Sequence, residues 1–558
     1  MVENESSQPV PVWRSRRAQL VLLAFLVCVG AWIRVADLAN VDPRSPDEYY
    51  YTLQANTLLD HGTADGYRML FDAFNPDRPS PTRVGYHWLL TTGMKLTGDR
   101  TPLTGARLSC LSSVLSLLLL AWIAFRFFPG PAALAATMLY AVFPAELVLA
   151  RRAWQETLVE LLTLAALAIA CWVTAGSRNR WLLPVWVATG VLSFTVKEAS
   201  AAAFLFAAAW ILLILCLKRE WKTLVIWAGS TLAAALLALG WTAMRLGGLG
   251  ELHRLSVVTA KVGQLSAYGL QYESGPSWYL LRGFWVLSAT TALLALLGIA
   301  VLVRLWTRRP RSEETEVRAR ILLGMTIFTL LLIVLAMVLP ERLNYRYICG
   351  IFAPMLLLAG VGFDSLLGAV RRFLPATEGA TVRVMLGVAL LAAAAFDLHT
   401  YSAKLTAPWV QDLSIRMVLT AGGVEDLEPI PPVLSEPMTV APAPASMPAP
   451  TQAVPAAQPG IVQPATAQLT AQDWINASAS FAQSGRNEDA ISAANKALAL
   501  DPKSAVAWNN IAAANENLRH WDQAIDAANH ALALQPDFQL AKNNLVWSLE
   551  QKRKQAGQ

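Results

Sequence analysis

Asp47 and Glu48 stand side by side directly after Pro46, in a hydrophilic stretch (residues 38–104) that follows the first long apolar run. A proline at a helix start followed by two acids reads as a first helical turn whose carboxylates the helix dipole favours. Adjacent carboxylates can also hold a divalent cation, and position alone leaves these alternatives open. Basic residues recur at the ends of later apolar runs: Arg151 and Arg152, then Lys197, then Arg342 and Arg346 with Tyr345 and Tyr347. Such residues commonly anchor a membrane segment at its interface. Glu156 and Glu160 lie one turn apart at the start of another apolar run, and Glu146 precedes them. Ionisable groups inside a membrane usually face a cavity, although Glu156, one turn from Arg152, also suits a simple salt bridge. Tyr86, His87 and Trp88 form an aromatic group suited to a membrane interface. Six histidines are scattered along the chain with no metal-ligand spacing, so neither a metal nor another cofactor is expected.

The elements that must position these residues are membrane helices. The 558 residues are 55% hydrophobic and only 15% charged, with a mean hydropathy of +0.41. A soluble domain carries ~25% charged residues, so most of this length faces something other than water. The net charge of +6 is too slight over such a chain to indicate a nucleic-acid partner. Cys28, Cys110, Cys171, Cys216 and Cys349 all fall in or beside apolar runs without a CxxC pair and read as buried, inert thiols.

Apolar runs of spanning length occur at 18–33, 108–125, 131–150, 157–175, 181–196, 199–217, 223–243, 283–303, 321–339, 347–370 and 384–396, which predicts eleven transmembrane helices. The weakest division is at Lys197 and Glu198, which split one long apolar stretch. Basic residues in short loops, among them Arg14, Arg16, Arg17, Arg178, Arg180, Lys218, Arg219, Arg308, Arg309, Arg311, Arg371 and Arg372, set a cytoplasmic N-terminus under the positive-inside rule. The stretches 38–104 and 244–278 then lie outside, and an odd number of spans leaves the C-terminus there as well. Arg151, Arg152, Lys197 and Arg346 fall on that same outer face and oppose the bias, which asks for a functional reason.

Residues 431–464 hold ten prolines among Ala, Gln, Val and Thr, the composition of an extended spacer. Beyond it a period of 34 residues appears. Ala490-Ile491 recurs at Ala524-Ile525, Ala497 to Leu500 at Ala531 to Leu534, and Pro502 at Pro536, with Trp474 and Trp508 in register and a partial third copy at Ala541 to Leu545. This spacing resembles tetratricopeptide repeats, and it divides the chain into a membrane domain (1–430), a Pro/Ala-rich linker (431–471) and a small soluble helical-repeat domain (472–558). Asn476-Ala477-Ser478 matches a glycosylation acceptor pattern but falls inside the first repeat helix and reads as structural.

The order of features resembles the GT-C superfamily of polyprenyl-phosphate-sugar-dependent glycosyltransferases. These features are a first span, an Asp-Glu pair followed by aromatics and Ala55 in the first outer loop, Gly85 to Leu90 onward to Arg107-Leu108, Lys197-Glu198, and Arg346-Tyr347 with Pro354. Its protein O-mannosyltransferases and lipid A aminoarabinose transferases are the most similar, over residues 17 to about 400. The resemblance implies an all-α, polytopic membrane fold of GT-C type with Asp47 as catalytic base. The acceptor hydroxyl loses its proton as it attacks the anomeric carbon, and the phosphate leaves without an acid, giving one inverting displacement. Glu48 would orient the sugar, or exchange roles with Asp47. The leaving phosphate needs cations, which arginine supplies bidentately and lysine as a point charge. Arg151, Arg152, Lys197 and Arg346 with Tyr345 and Tyr347 are the candidates, while Glu156, Tyr86 and His87 are candidates for the sugar.

The expected donor is a polyprenyl-phosphate-linked sugar in an inner (plasma) membrane, and the expected acceptor a protein or glycan on the extracytoplasmic side. The repeats would take a protein partner beside the site. A transporter or flippase of lipid-linked glycans is the rival, but the polar residues gather at span ends rather than mid-membrane and no inverted repeat is visible. A membrane-anchored repeat scaffold is a third reading, although it requires neither so many spans nor Asp47-Glu48.

Overall fold

The computed structural model describes residues 15–40, 46–72, 74, 80–262, 273–307, 312–338, 343–406, 413–424, 426–427, 469–483, 486–535 and isolated positions from 538 to 553. Arg14, Arg308, Arg309, Arg311, Arg342 and the spacer up to residue 468 lie outside the described residues.

The membrane part runs α1 (Arg16–Val35), α2 (Pro46–His61), α3 (Thr63–Asp72), α4 (Val84–Thr97), α5 (Pro102–Phe127), α6 (Gly130–Val142), α7 (Pro144–Ala150), α8 (Glu156–Thr174), α9 (Leu182–Val196), α10 (Glu198–Leu217), α11 (Trp221–Leu246), α12 (Leu252–Val262), α13 (Trp278–Thr307), α14 (Glu313–Met337), α15 (Phe352–Phe373), α16 (Ala376–Thr400) and α17 (Ile415–Ala421). Caps set several starts. Thr101 accepts from the Leu103 amide ahead of Pro102, and Ser312 accepts from the Thr315 amide ahead of three first-turn glutamates, as orphan amides and a positive helix end require.

Nine helices among the described residues are long and apolar enough to cross a membrane, or ten if α6 and α7 form one bent span. The protein is therefore an integral, multi-pass membrane protein. Two of the eleven predicted runs do not form single long helices. The run 131–150 is broken at Phe143–Pro144 by a bend of 54°, because Pro144 cannot donate to the helix ladder. The run 181–196 is α9, whose 15 residues reach ~22 Å at 1.5 Å per residue against a hydrocarbon core of ~30 Å.

Helices α8 and α15 are the most enclosed, whereas α1, α11 and α16 turn most of their surface outward. That outward surface is apolar, with Phe25 and Trp32 on α1 and Leu232 and Leu236 on α11 exposed, as a lipid-facing surface must be. Cys28 and Cys216 are exposed on it too, correcting the expectation of five buried thiols; Cys110, Cys171 and Cys349 are buried. Close approach at the centre depends on missing side chains: a Cβ on Gly298 would strike the Leu358 carbonyl, and one on Gly362 the Leu294 carbonyl. Small residues let membrane helices approach backbone to backbone.

The C-terminal part is α18 (Ala471–Gln483), α19 (Asn487–Leu500), α20 (Ala505–Asn517) and α21 (Trp521–Leu534). Both bounds of α20 lie 34 residues beyond those of α18, and both bounds of α21 lie 34 beyond those of α19. Consecutive helices pack against each other through alanines such as Ala490, Ala494, Ala524 and Ala528, all fully buried. Ser478 of the Asn-Ala-Ser triplet is buried and donates to the Ala490 carbonyl at 2.8 Å.

Candidate active site

Pro46 opens α2, which places Asp47 and Glu48 in its first turn, where the dipole favours both acids. The two then diverge. Glu48 is fully buried, and its carboxylate accepts from Arg152 Nη1 at 3.2 Å and from the Ala153 amide at 2.6 Å. It ties α2 to the turn that follows α7. Asp47 keeps 27% of its side chain exposed and faces two guanidiniums, Arg346 Nη1 at 2.9 Å and Arg486 Nη1 at 3.6 Å.

Arg346 comes from a 3-10 turn, Tyr345–Ile351, capped by Asn344. Asn344 pairs with Ser414 in an isolated antiparallel bridge, and its side-chain amide donates to Glu273 at 2.8 Å. Arg346 then reaches Glu156 as well as Asp47, with Nε 3.3 Å from Glu156 Oε1, and Lys197 Nζ donates to that same oxygen at 2.8 Å. The Arg346 guanidinium lies 4.1 Å from the Trp154 ring centre. Asp47, Glu48, Glu156, Arg152, Lys197 and Arg346 thus converge from five chain segments. Around them Trp154 Nε1, Gln155 Oε1, Glu156 Oε2 and Arg83 Nε are buried with no hydrogen-bond partner among the described residues. Buried polar atoms are normally satisfied, and these four are among the described atoms that are not.

The remaining sequence candidates fall elsewhere. Glu156 is not the partner of Arg152; it pairs with Lys197 and Arg346. Arg151 turns away, donating to the carbonyls of Ile33, Arg34, Ala36 and Asp37 at the end of α1, the anchoring alternative. Tyr345 is buried against Phe284 and donates to the Leu280 carbonyl at 2.5 Å, so its hydroxyl belongs to the core. Tyr347 donates to Glu273 at 3.1 Å, with Lys197 Nζ 5.5 Å from its ring centre. Tyr86 is buried and donates to the Ala153 carbonyl at 3.1 Å. His87 is also buried, between Tyr67 Oη at 3.2 Å and Gln54 Oε1 at 2.9 Å, rather than at an interface. Burial, helped by Arg83 and Arg245, lowers its imidazole to about 3. Glu160 and Glu146 sit deeper in the bundle, where Ser113 donates to Glu146.

Several participants were not anticipated. Arg83 donates to the Tyr51 hydroxyl, which Gln155 also contacts at 3.1 Å. Burial pushes the Tyr51 phenol up to about 12, against the pull of Arg83, and keeps it a neutral hydroxyl. Arg83 carried a usable signal, as a lone cation two residues before the aromatic segment at Gly85. Arg486 carried none, because only tertiary structure brings it to Asp47. Among the described residues no three His, Cys, Asp or Glu side chains gather as a metal site.

Fold and site together describe a multi-pass membrane protein with a carboxylate-and-cation centre at the end of its helical bundle. Residues 77–241 match the family model described as dolichyl-phosphate-mannose-protein mannosyltransferase. The matched segment includes Arg152, Glu156 and Lys197 and leaves Asp47 and Arg346 outside it. No match was found among curated protein sequences. Among solved structures the chain is similar to ArnT from Cupriavidus metallidurans bound to undecaprenyl phosphate, at 16% identity and a TM-score of 0.44, covering 74% of this chain and 77% of that one. The apo form of that ArnT gives 16%, 0.41, 73% and 76%. The Archaeoglobus fulgidus oligosaccharyltransferase in complex with zinc and sulfate gives 14%, 0.42, 68% and 53%.

Proposed function

We propose that the protein transfers a sugar from a polyprenyl-phosphate carrier to an extracytoplasmic acceptor hydroxyl by a single inverting displacement, with Asp47 as base. The observation that carries this is the difference between two neighbouring carboxylates. Glu48 has its oxygens engaged by Arg152 and the Ala153 amide, whereas Asp47 stays partly open beside the cations. A base must reach the proton that it abstracts, and Asp47 has that access. Glu48 then holds α2 in register with the Arg152 turn. Arg346, Lys197 and Arg152 supply positive charge for the leaving phosphate, exchanging carboxylate partners for phosphate oxygens as the donor enters. The unmet polar atoms of Trp154, Gln155 and Glu156 would meet sugar hydroxyls.

The outward placement of this site and of the helical-repeat domain rests on the bias of basic residues toward the opposite loops. Reading α18 to α21 as a tetratricopeptide-type domain, joined to the membrane domain by the Pro/Ala-rich linker, is supported by the 34-residue register of its helices. The test is transfer in reconstituted vesicles. Asp47→Asn is expected to lower kcat by roughly 10²- to 10⁴-fold, the range of a positioned acid or base, and the wild-type product should carry the inverted anomer by NMR. Unchanged transfer by Asp47→Asn, or a retained anomer, refutes the mechanism.

A further inference from the structure

Arg346 and Lys197 share the Glu156 carboxylate, and a further acid, Glu273, holds the residues that flank them. Glu273 is buried just ahead of α13. Its Oε1 accepts from Asn344 Nδ2 at 2.8 Å and from the Tyr347 hydroxyl at 3.1 Å, and that hydroxyl lies 3.3 Å from its Oε2. Asn344 and Tyr347 stand on either side of Arg346 in the sequence, so one side chain grips the turn before and after the cation. The backbone is tied at the same place, where the Leu343 amide donates to the Glu273 carbonyl at 2.9 Å. On its other side the segment is held by residues 413–415. There the Tyr345 amide donates to the Leu413 carbonyl at 3.0 Å, and the Ile415 amide to the Leu343 carbonyl at 2.8 Å.

We infer that Glu273 is a positioning residue for both cations, setting Arg346 through Asn344 and Lys197 through Tyr347. The inference rests on the phosphate role given to these cations above.

The first arm follows from hydrogen-bond polarity. A side-chain amide has a donating end and an accepting end, whereas a carboxylate only accepts. Glu273 therefore takes the donating end of Asn344 and leaves its oxygen for the Arg346 amide, which donates to it at 2.9 Å. That bond caps the Tyr345–Ile351 turn and satisfies an amide that the turn itself cannot. From the capped turn the Arg346 guanidinium reaches Asp47 at 2.9 Å and Glu156 at 3.3 Å. A guanidinium meets phosphate oxygens as a rigid fork, so a rotated turn misdirects it even though its charge survives.

The second arm acts on an ammonium, which is a point charge on a flexible stem and takes its direction from its surroundings. Lys197 Nζ lies 2.8 Å from Glu156 Oε1 and 5.5 Å from the Tyr347 ring centre, within the range of a cation–π contact. Tyr347 is 43% exposed, and its bond to Glu273 restrains a ring that packing leaves half open. Charge alone predicts the opposite effect for Glu273. An acid in this neighbourhood repels a phosphate, so deleting it would tighten phosphate binding if charge were its only contribution.

The test uses the full-length protein in nanodiscs and undecaprenyl phosphate as probe, with affinity read by native mass spectrometry. Glu273→Leu is expected to weaken binding roughly tenfold, the scale of one misdirected charge-assisted contact. Glu273→Gln keeps an accepting oxygen at the same reach and should recover part of that loss. In an Arg346→Ala background, Glu273→Leu should cost about threefold or less, because only the Lys197 arm remains. If Glu273→Leu does not purify as a monodisperse species, Glu273→Gln and Tyr347→Phe carry the same comparison, each weakening binding in the wild-type background. Unchanged or tighter binding by Glu273→Leu, while Arg346→Ala still weakens it, overturns the positioning role and leaves the phosphate reading standing. Equal losses from Glu273→Leu with and without Arg346 overturn it as well, since a general loss of structure adds in every background. If Arg346→Ala and Lys197→Met both bind the probe as the wild type does, the phosphate reading itself is wrong.

Discussion

Glu156 and Lys197 form a buried ion pair of the site, 2.8 Å apart with the carboxylate fully covered and the lysine nearly so, and Arg346 adds a second contact at 3.3 Å. At an effective dielectric of ~20 these separations correspond to roughly 6 and 5 kcal/mol of attraction, before desolvation is subtracted. The net loss on removing one partner of such a pair is about 3–5 kcal/mol, because the survivor is left charged and buried. Glu156→Gln and Lys197→Met should therefore each lower the melting temperature of the purified protein by roughly 5–10 °C. The double variant removes both charges and leaves Arg346 with Asp47, so it should recover most of the stability, with a coupling of about 2 kcal/mol or more. Its transfer activity should stay low, since phosphate has lost one of its cations. Thermal unfolding monitored by size-exclusion chromatography, with transfer assayed on the same samples, measures both quantities. Strict additivity of the two single losses would refute the reasoning, because it would mean that the charges do not act on each other.

Two further outcomes follow from groups away from that pair. His87 is held neutral, with its imidazole lowered from 6.5 to about 3. The unfolded chain binds its proton first, so stability from this residue is complete above pH 6.5 and falls by about 1.4 kcal/mol per pH unit as pH drops through 6.5 toward 3. His87→Gln should flatten that acid slope in melting curves recorded between pH 4 and 7. Gly362→Leu should prevent α15 from seating on α13 and abolish the monodisperse chromatographic peak, whereas Gly368→Leu, where a Cβ meets nothing within 4 Å, should leave the peak unchanged.

The membrane architecture was legible because burial in lipid demands long apolar runs, and each predicted run is helical, one of them as two helices. What the runs concealed was length and continuity: α9 is shorter than the nine long apolar helices, and α6 ends where Pro144 breaks its ladder. Around the site, residue type pointed to which charged side chains gather but not to their partners. Asp47, Glu48, Arg152, Glu156, Lys197 and Arg346 do come together, yet the short-range pairing of Arg152 with Glu156 gives way to pairings across the fold. Tyr345 and Arg151 looked equivalent to their neighbours Tyr347 and Arg152, because adjacent positions in a turn point in different directions, a distinction that composition does not carry. Arg486 was invisible for a simpler reason: nothing near it in the chain is unusual, and its role depends on the helical hairpins resting on α2.

The bend at Pro144 bears on how the protein is made. Breaking α6 frees the carbonyls of Tyr140 and Ala141, and the fully buried Arg34 of α1 donates to both, at 3.1 and 2.8 Å. Arg34 lies in the last turn of α1 and also donates to the Gly30 carbonyl of its own helix at 3.0 Å, whereas the two α6 acceptors belong to a helix translated more than a hundred residues later. During biogenesis Arg34 can snorkel toward the interface until α6 is in place. The contacts of α1 are thus complete only once α6 has packed against it.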